Sequence, residues 1–368
     1  MTGPVTEVGA KKKISLALQG GGALGAYTWG ALDRLLEDER IEIAAISGSS
    51  AGAMCAVVLA EGYDEGGAAG ARKQLRQFWE GIARAGESNP YRRTPMTAFL
   101  NAFAPPWAQN AAWSFWSDWA NRFGSPYDSN PLNVNPLKDV IEDLVDFEKV
   151  RASTAISLFI GATNVETGRI RIFQNAELTA DHLLASACLP QLFQAVMIDG
   201  APYWDGGYMG NPALFPLFDV EATRDILIVQ INPIERQGAP RSMPDIVARV
   251  NEITFNASLL RELRAIEFVG RLVDQSMLPE GRYRKMLIHT LAQDEALQPL
   301  GVGVDLNTDL AFFEKLFGIG RLACDHWLKA HFDALGESST VDLRAMFEGE
   351  EGPMPGPKTP EPKKTRKK

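Results

Sequence analysis

The sequence predicts an α/β domain, a parallel sheet with helices packed on its faces. Three observations carry this reading. A strand–turn–helix unit occurs twice in succession near the start of the chain, and apolar strands return after residue 155. Hydrophobic residues make up 45% of the 368, enough to bury a sizeable core.

The first unit opens with Ile14–Leu18 (ISLAL), a short buried strand, followed by a turn at Gly20, Gly21 and Gly22. From Ala23 to Glu37, the apolar residues Leu24, Tyr27, Ala31 and Leu35 recur at steps of three and four, the period of a helix. The second unit is a strand over Ile41–Ile46, a glycine–serine turn, and a helix of small residues from Ala51 to about Ala60. Residues 63–150 differ: they are helix-prone but contain seven prolines, and four of the eight tryptophans lie between Trp107 and Trp119. Beyond them, Ile156–Val165, a Glu166-Thr167-Gly168 turn and Arg169–Phe173 read as a hairpin. Asp225–Asn232 (DILIVQIN) reads as a buried strand, Asp245–Val273 as a long helix, Lys285–His289 as a last strand, and Ala311–Phe332 as a closing helix. The expected organisation is a flexible N-terminus (1–13), one domain (14–345) with a helical insertion at about 63–150, and a Pro/Lys-rich tail (346–368).

Charge narrows the function classes. The net charge is −9, yet Pro357–Lys368 holds six basic residues and one acidic one, leaving −14 on the rest. An acidic body argues against nucleic-acid binding. The tail, PMPGPKTPEPKKTRKK, cannot bury a core and reads as disordered, either a solubilising segment or a weak electrostatic contact for anionic lipid or nucleic acid. Three cysteines, Cys55, Cys188 and Cys324, suggest no disulfide framework and none has metal-ligand spacing. Only Ile14–Leu18 follows the N-terminal lysines as an apolar run, too short for a signal-peptide core, and Ala51–Ala60 is about half a membrane span. The expectation is a cytoplasmic protein without transmembrane segments, metal or organic cofactor, whose membrane contact would be transient and at the surface.

Gly48-Ser49-Ser50-Ala51-Gly52 is a G-x-S-x-G pattern between an apolar strand and a small-residue helix. In that context the central serine occupies a sharp turn, and Gly48 and Gly52 let strand and helix approach each other. The Ser50 hydroxyl would then stand at a helix N-terminus, which favours negative charge. A glycine-rich connection without chemistry is the alternative. Gly20, Gly22 and Gly25 also satisfy G-x-G-x-x-G, but a dinucleotide fold needs an acid at the end of its second strand, where this chain has Ser-Gly-Ser-Ser. The other reading of the loop is an oxyanion hole: neighbouring ends of parallel strands would put Gly21 and Gly22 beside Ser50, their N–H groups facing a developing negative charge.

A serine nucleophile needs a base. Of the four histidines, His182, His289, His326 and His331, the one placed as in an α/β-hydrolase is His289, at a strand end. The competitor is Asp205 in Tyr203-Trp204-Asp205-Gly206-Gly207, where two glycines allow close approach and aromatics can exclude water and raise carboxylate basicity. Asp-Gly is also a plain turn signal.

Taken in order, QGGGALGAY (19–27), GSSAG (48–52) and DGG (205–207) resemble the patatin-like phospholipases, as do SACLPQLFQAV (186–196) and Asn211-Pro212. The resemblance implies a three-layer α/β/α sandwich with a mostly parallel central sheet. It implies Gly20, Gly21 and Gly22 as oxyanion hole, Ser50 as nucleophile and Asp205 as base of a Ser–Asp dyad. Gly48, Gly52, Gly206 and Gly207 would support the turns, and the implied substrate is a lipid acyl ester. The chain departs at Leu24, where many members carry a basic residue, and this bears on phospholipid preference rather than on hydrolysis. A Ser-Asp-His esterase using His289 and a non-catalytic lipid-binding relative remain the other readings. Phe99, Phe103 and Trp107, spaced by four, with Trp113, Phe115, Trp116, Trp119, Phe123 and Tyr127, read either as core of the inserted helices or as a lid or acyl-chain groove.

Overall fold

Eight strands form one sheet in the computed structural model, which describes residues 11–88, 125–279, 282–297 and 307–349. They are β1 (Lys12–Leu18), β2 (Ile41–Gly48), β3 (Ser157–Asn164), β4 (Arg169–Gln174), β5 (Val196–Ile198), β6 (Ala201–Asp205), β7 (Asp225–Val229) and β8 (Leu287–Leu291). Strands β3–β2–β1–β7–β8 run parallel, as their apolar, doubly buried sequences demand. β4 is antiparallel to β3, and β5 and β6 form a second antiparallel pair joined to β3 through β6. The sheet is therefore mixed and mostly parallel.

The α-helices of six or more residues are α1 (Gly25–Leu36), α2 (Ala51–Ser88), α3 (Pro136–Leu144), α4 (Phe147–Ala152), α5 (Ala180–Ser186), α6 (Met243–Asp274), α7 (Leu310–His331) and α8 (Leu343–Glu348). Alternation along the strands sends side chains to two separate cores. Ile14, Leu16 and Leu18 of β1, with Leu227 and Val229 of β7, join one core with Leu32 of α1, Met54 of α2 and Phe313 of α7. Ala17, Ile226 and Ile228 point the other way, onto Leu259, Leu263 and Ile266 of α6. Helices on both faces give three layers.

One pairing decides where the functional groups fall. A strand has two edges, and β4 occupies one edge of β3 from Phe159 to Asn164. The opposite edge is shared. β2 covers its first half, ending with Gly48 beside Ile160, and β6 enters from the other end, with Asp205 beside Ala162. The C-terminal ends of β2 and β6 therefore face each other along a single edge.

Three differences from the sequence expectations have physical reasons. The helix expected to stop near Ala60 continues to about residue 65, and beyond the non-helical Gly66 and Gly67 a second helical stretch of α2 runs to Ser88, turned so that Gly62 lies against Gly70 and Gln74. The hairpin β5–β6 was not foreseen, because Val196–Ile198 is too short for a pattern and Pro202 lies inside Ala201–Asp205. Ordered packing continues past residue 345, since α8 lays Leu343 and Met346 against the α6 core. The aromatic positions 99–123 and the basic tail lie outside the described residues.

α1 and α7 cross where glycine meets backbone. A Cβ on Gly30 would stand 2.0 Å from the Phe317 carbonyl oxygen, and one on Gly320 equally close to that of Tyr27. Gly30→Ala gains about 1 kcal/mol in helix propensity, but it must separate two backbones, and overpacking of this kind costs about 1–3 kcal/mol or more. Urea unfolding of Gly30→Ala is expected to show a net loss of about 1–2 kcal/mol.

Candidate active site

Ser50 lies between the last residue of β2 and the first of α2, with φ at 53°. A non-glycine residue in the left-handed region costs about 1–3 kcal/mol unless its surroundings impose it. Here they do. The Ser50 N–H donates to Oγ and the carbonyl of Ser186, at 3.0 and 3.2 Å. Ser186 Oγ in turn donates to the Gly161 carbonyl at 2.7 Å, and Ser49 Oγ to that of Gly210 at 2.6 Å. A Cβ on Gly48 would lie 2.8 Å from the Gly52 carbonyl, and one on Gly52 would lie 2.2 Å from that of Leu18. The Ser50 side chain sits at the α2 N-terminus with 8% of the residue exposed.

Asp205 ends β6 and has no accessible surface. Its Oδ1 accepts the Gly207 N–H at 2.7 Å, while Oδ2 has no hydrogen-bond partner among the described residues. Thr163 Oγ1 donates to the Asp205 carbonyl at 2.8 Å, and the Asp205 N–H donates to the Cys188 carbonyl at 2.9 Å. A Cβ on Gly206 would lie 2.2 Å from the Gly161 carbonyl, so the turn lies directly on β3. Burial pushes the carboxyl up to about 7, against the opposing pull of the Gly207 N–H and the nearby Ser50 hydroxyl. A carboxylate stripped of water, with one oxygen unpartnered beside a serine hydroxyl, is equipped to accept a proton.

The glycine loop touches the serine turn: a Cβ on Gly20 would stand 2.6 Å from Ser50 Cβ. Gly20 itself is not an available donor, because its N–H is held by Asn211 Oδ1 at 2.6 Å. Of the three glycines expected to form the hole, Gly20 therefore has its own N–H engaged within the chain. The N–H groups of Gly21 and Gly22 make no hydrogen bond to the described chain, and both residues reach the surface. Leu24 packs against the core below them.

The histidines lie elsewhere. His289 is buried in β8, with Nε2 3.0 Å from Asp225 Oδ1 and Nδ1 3.2 Å from Thr340 Oγ1. β7 and β1 separate β8 from β2, roughly 14 Å at the usual strand spacing. His182 caps α5 through Thr179 and stacks its ring edge-on to Phe173. His326 and His331 are on α7. No three His, Cys, Asp or Glu side chains among the described residues form a group able to hold a metal ion. Ser186, Gln19 and Asn232 escaped sequence reasoning, since nothing local distinguishes a buried polar side chain that braces a distant turn.

The sequence model of the patatin-like phospholipase family matches residues 16–218. No curated protein matches the chain. Among solved structures, VipD from Legionella pneumophila is similar over 89% of this chain and 69% of its own, at 16% identity and a TM-score of 0.40. Among the described residues no helix is long and apolar enough to cross a membrane.

The buried carboxyl has a stability consequence. Between its unfolded value of 3.8 and about 7, the folded state binds more protons at Asp205 than the unfolded state does. Stability therefore falls as pH rises through that window and levels off above it. Asp205→Asn removes the penalty and is expected to stabilise the fold at pH 8 by about 2–4 kcal/mol. Denaturant unfolding should show this gain shrinking as pH is lowered toward 4.

Proposed function

This chain belongs to the patatin-like phospholipase family, whose members are lipid acyl hydrolases, and on that premise we propose that it cleaves carboxylic esters of lipids with a Ser50–Asp205 dyad. The observation that carries the reading is the unpartnered Oδ2 of a fully buried Asp205 beside Ser50. Asp205 takes the Ser50 proton as Oγ attacks the ester carbonyl. The N–H groups of Gly21 and Gly22 receive the oxyanion of the tetrahedral intermediate, an interaction worth about 3–4 kcal/mol per donor in comparable sites. Collapse expels the alcohol, which recovers the proton from Asp205, and leaves an acyl group on Ser50. Water then attacks that ester with Asp205 again as base, releasing the carboxylic acid and restoring the serine.

Every step draws on groups of the chain itself. The histidine alternative lacks support, since both ring nitrogens of His289 are engaged with Asp225 and Thr340. The choice of head group and acyl chain belongs to experiment, and Leu24 supplies no cation for a phosphate.

A fluorophosphonate probe is expected to label Ser50, which separates this reading from a non-catalytic lipid-binding relative. Ser50→Ala and Asp205→Asn are each expected to lower kcat on lipid and p-nitrophenyl esters by about 10³-fold or more. Folded His289→Ala is expected to keep kcat. Near-normal turnover in Asp205→Asn would sink the dyad.

A further inference from the structure

Four carboxamides meet behind the glycine loop, all nearly inaccessible: Gln19 after β1, Asn211 in the segment after Asp205, Asn232 after β7 and Asn256 on α6. Gln19 Oε1 accepts the N–H groups of Ile231 and Asn232, each at 2.9 Å. Gln19 Nε2 donates to the Asn211 carbonyl at 3.2 Å and to Asn256 Oδ1 at 3.1 Å. Asn256 Nδ2 donates to the Pro233 carbonyl at 3.1 Å. Burying amides is costly unless they are satisfied, and a core that served packing alone would be apolar. Two of the four, Asn211 and Asn232, converge on Gly20.

Gly20 is held at both ends of its backbone. Its N–H goes to Asn211 Oδ1, and its carbonyl oxygen accepts Asn232 Nδ2 at 2.7 Å and Asn211 Nδ2 at 3.3 Å. The Gly20–Gly21 peptide is trans, so the Gly20 carbonyl and the Gly21 N–H point in opposite directions. Drawing the carbonyl into the amide cluster turns the Gly21 N–H away from it. We infer that Asn211 and Asn232 are positioning residues for the oxyanion hole: they hold the Gly20–Gly21 peptide in the orientation that leaves the Gly21 N–H free to receive the oxyanion. The inference rests on the Ser50–Asp205 reading and adds a link to it. Asn211 lies six residues after Asp205, so one segment carries the base and grips the donor loop. That segment is anchored to α6, where Ser258 Oγ accepts the Asn211 N–H at 3.3 Å and Glu262 accepts those of Leu214 and Phe215 at 2.8 Å each.

The test compares Asn232→Ala, Asn211→Ala and Asn256→Ala. The first two release Gly20, whereas the third removes an amide from the same cluster without touching it. Asn232→Ala and Asn211→Ala are expected to lower kcat about 10- to 100-fold, the scale of an ångström-level misplacement, with KM changed less than about twofold. An acyl trifluoromethyl ketone, which adds to the serine and forms an oxyanion, should lose affinity by the same factor. Asn256→Ala should lose several-fold less. Equal losses in all three, or a change confined to KM, would overturn the positioning role. Should the variants not fold, the wild type decides: the ketone should shift the Gly21 amide resonance and leave that of Gly20 in place, and the reverse would overturn the inference. A ketone that binds wild type and Ser50→Ala equally would instead overturn the dyad reading on which it stands.

Discussion

The exclusion of water from the Asp205 carboxyl is the condition on which the rest of the site depends. A solvated aspartate is too weak a base to activate a serine, and burial, outweighing the pull of the Gly207 N–H and the Ser50 hydroxyl, brings this one to about 7. The sheet produces that burial. β2 and β6 take up one edge of β3 from opposite ends, so the two strand termini close on each other with no room for a loop between them. Gly161 and Gly206 bring the backbones together at that point, and Thr163 ties the Asp205 carbonyl to β3. The fold accepts an unfavourable carboxyl because two cores, one on each face of the sheet, stabilise it elsewhere.

The strained serine and the buried acid also share polar anchors. Ser186 holds the Ser50 N–H and bonds to Gly161, the same residue that receives Gly206. Asn211 joins the segment after the base to the glycine loop, and α6 braces that segment from outside. Nucleophile turn, base turn and donor loop thus share neighbours, so a shift in one is felt by the others. That coupling is what the proposed Ser50–Asp205 dyad requires, since it has no third side chain to correct its alignment.

Much of this was legible in the chain itself. The apolar runs ISLAL and DILIVQIN marked β1 and β7, and Glu166-Thr167-Gly168 marked the β3–β4 turn, because strand burial and turn chemistry are local properties. Ser50 was conspicuous because its G-x-S-x-G pattern lies in one short window between strand and helix, although only Gly48 is demanded from within that turn, Gly52 being demanded by Leu18. Asp205 read locally as either a turn or a water-excluded base, and the resemblance named it as the base; its burial against β3 comes from a strand about forty residues earlier, which no short window contains. Gly20 illustrates the limit most clearly. Its glycine loop announces an oxyanion hole, yet its own N–H is taken by a side chain 191 positions away. Position in space, not residue type, separates a donor from a scaffold.

The most direct test of this account is a titration of the Asp205 carboxyl carbon by 13C NMR in the intact protein. A midpoint near 7, coincident with the acid limb of kcat/KM, is the predicted result. A midpoint in the ordinary carboxylate range near 4, with activity falling below pH 7 all the same, would place the base elsewhere and contradict the account.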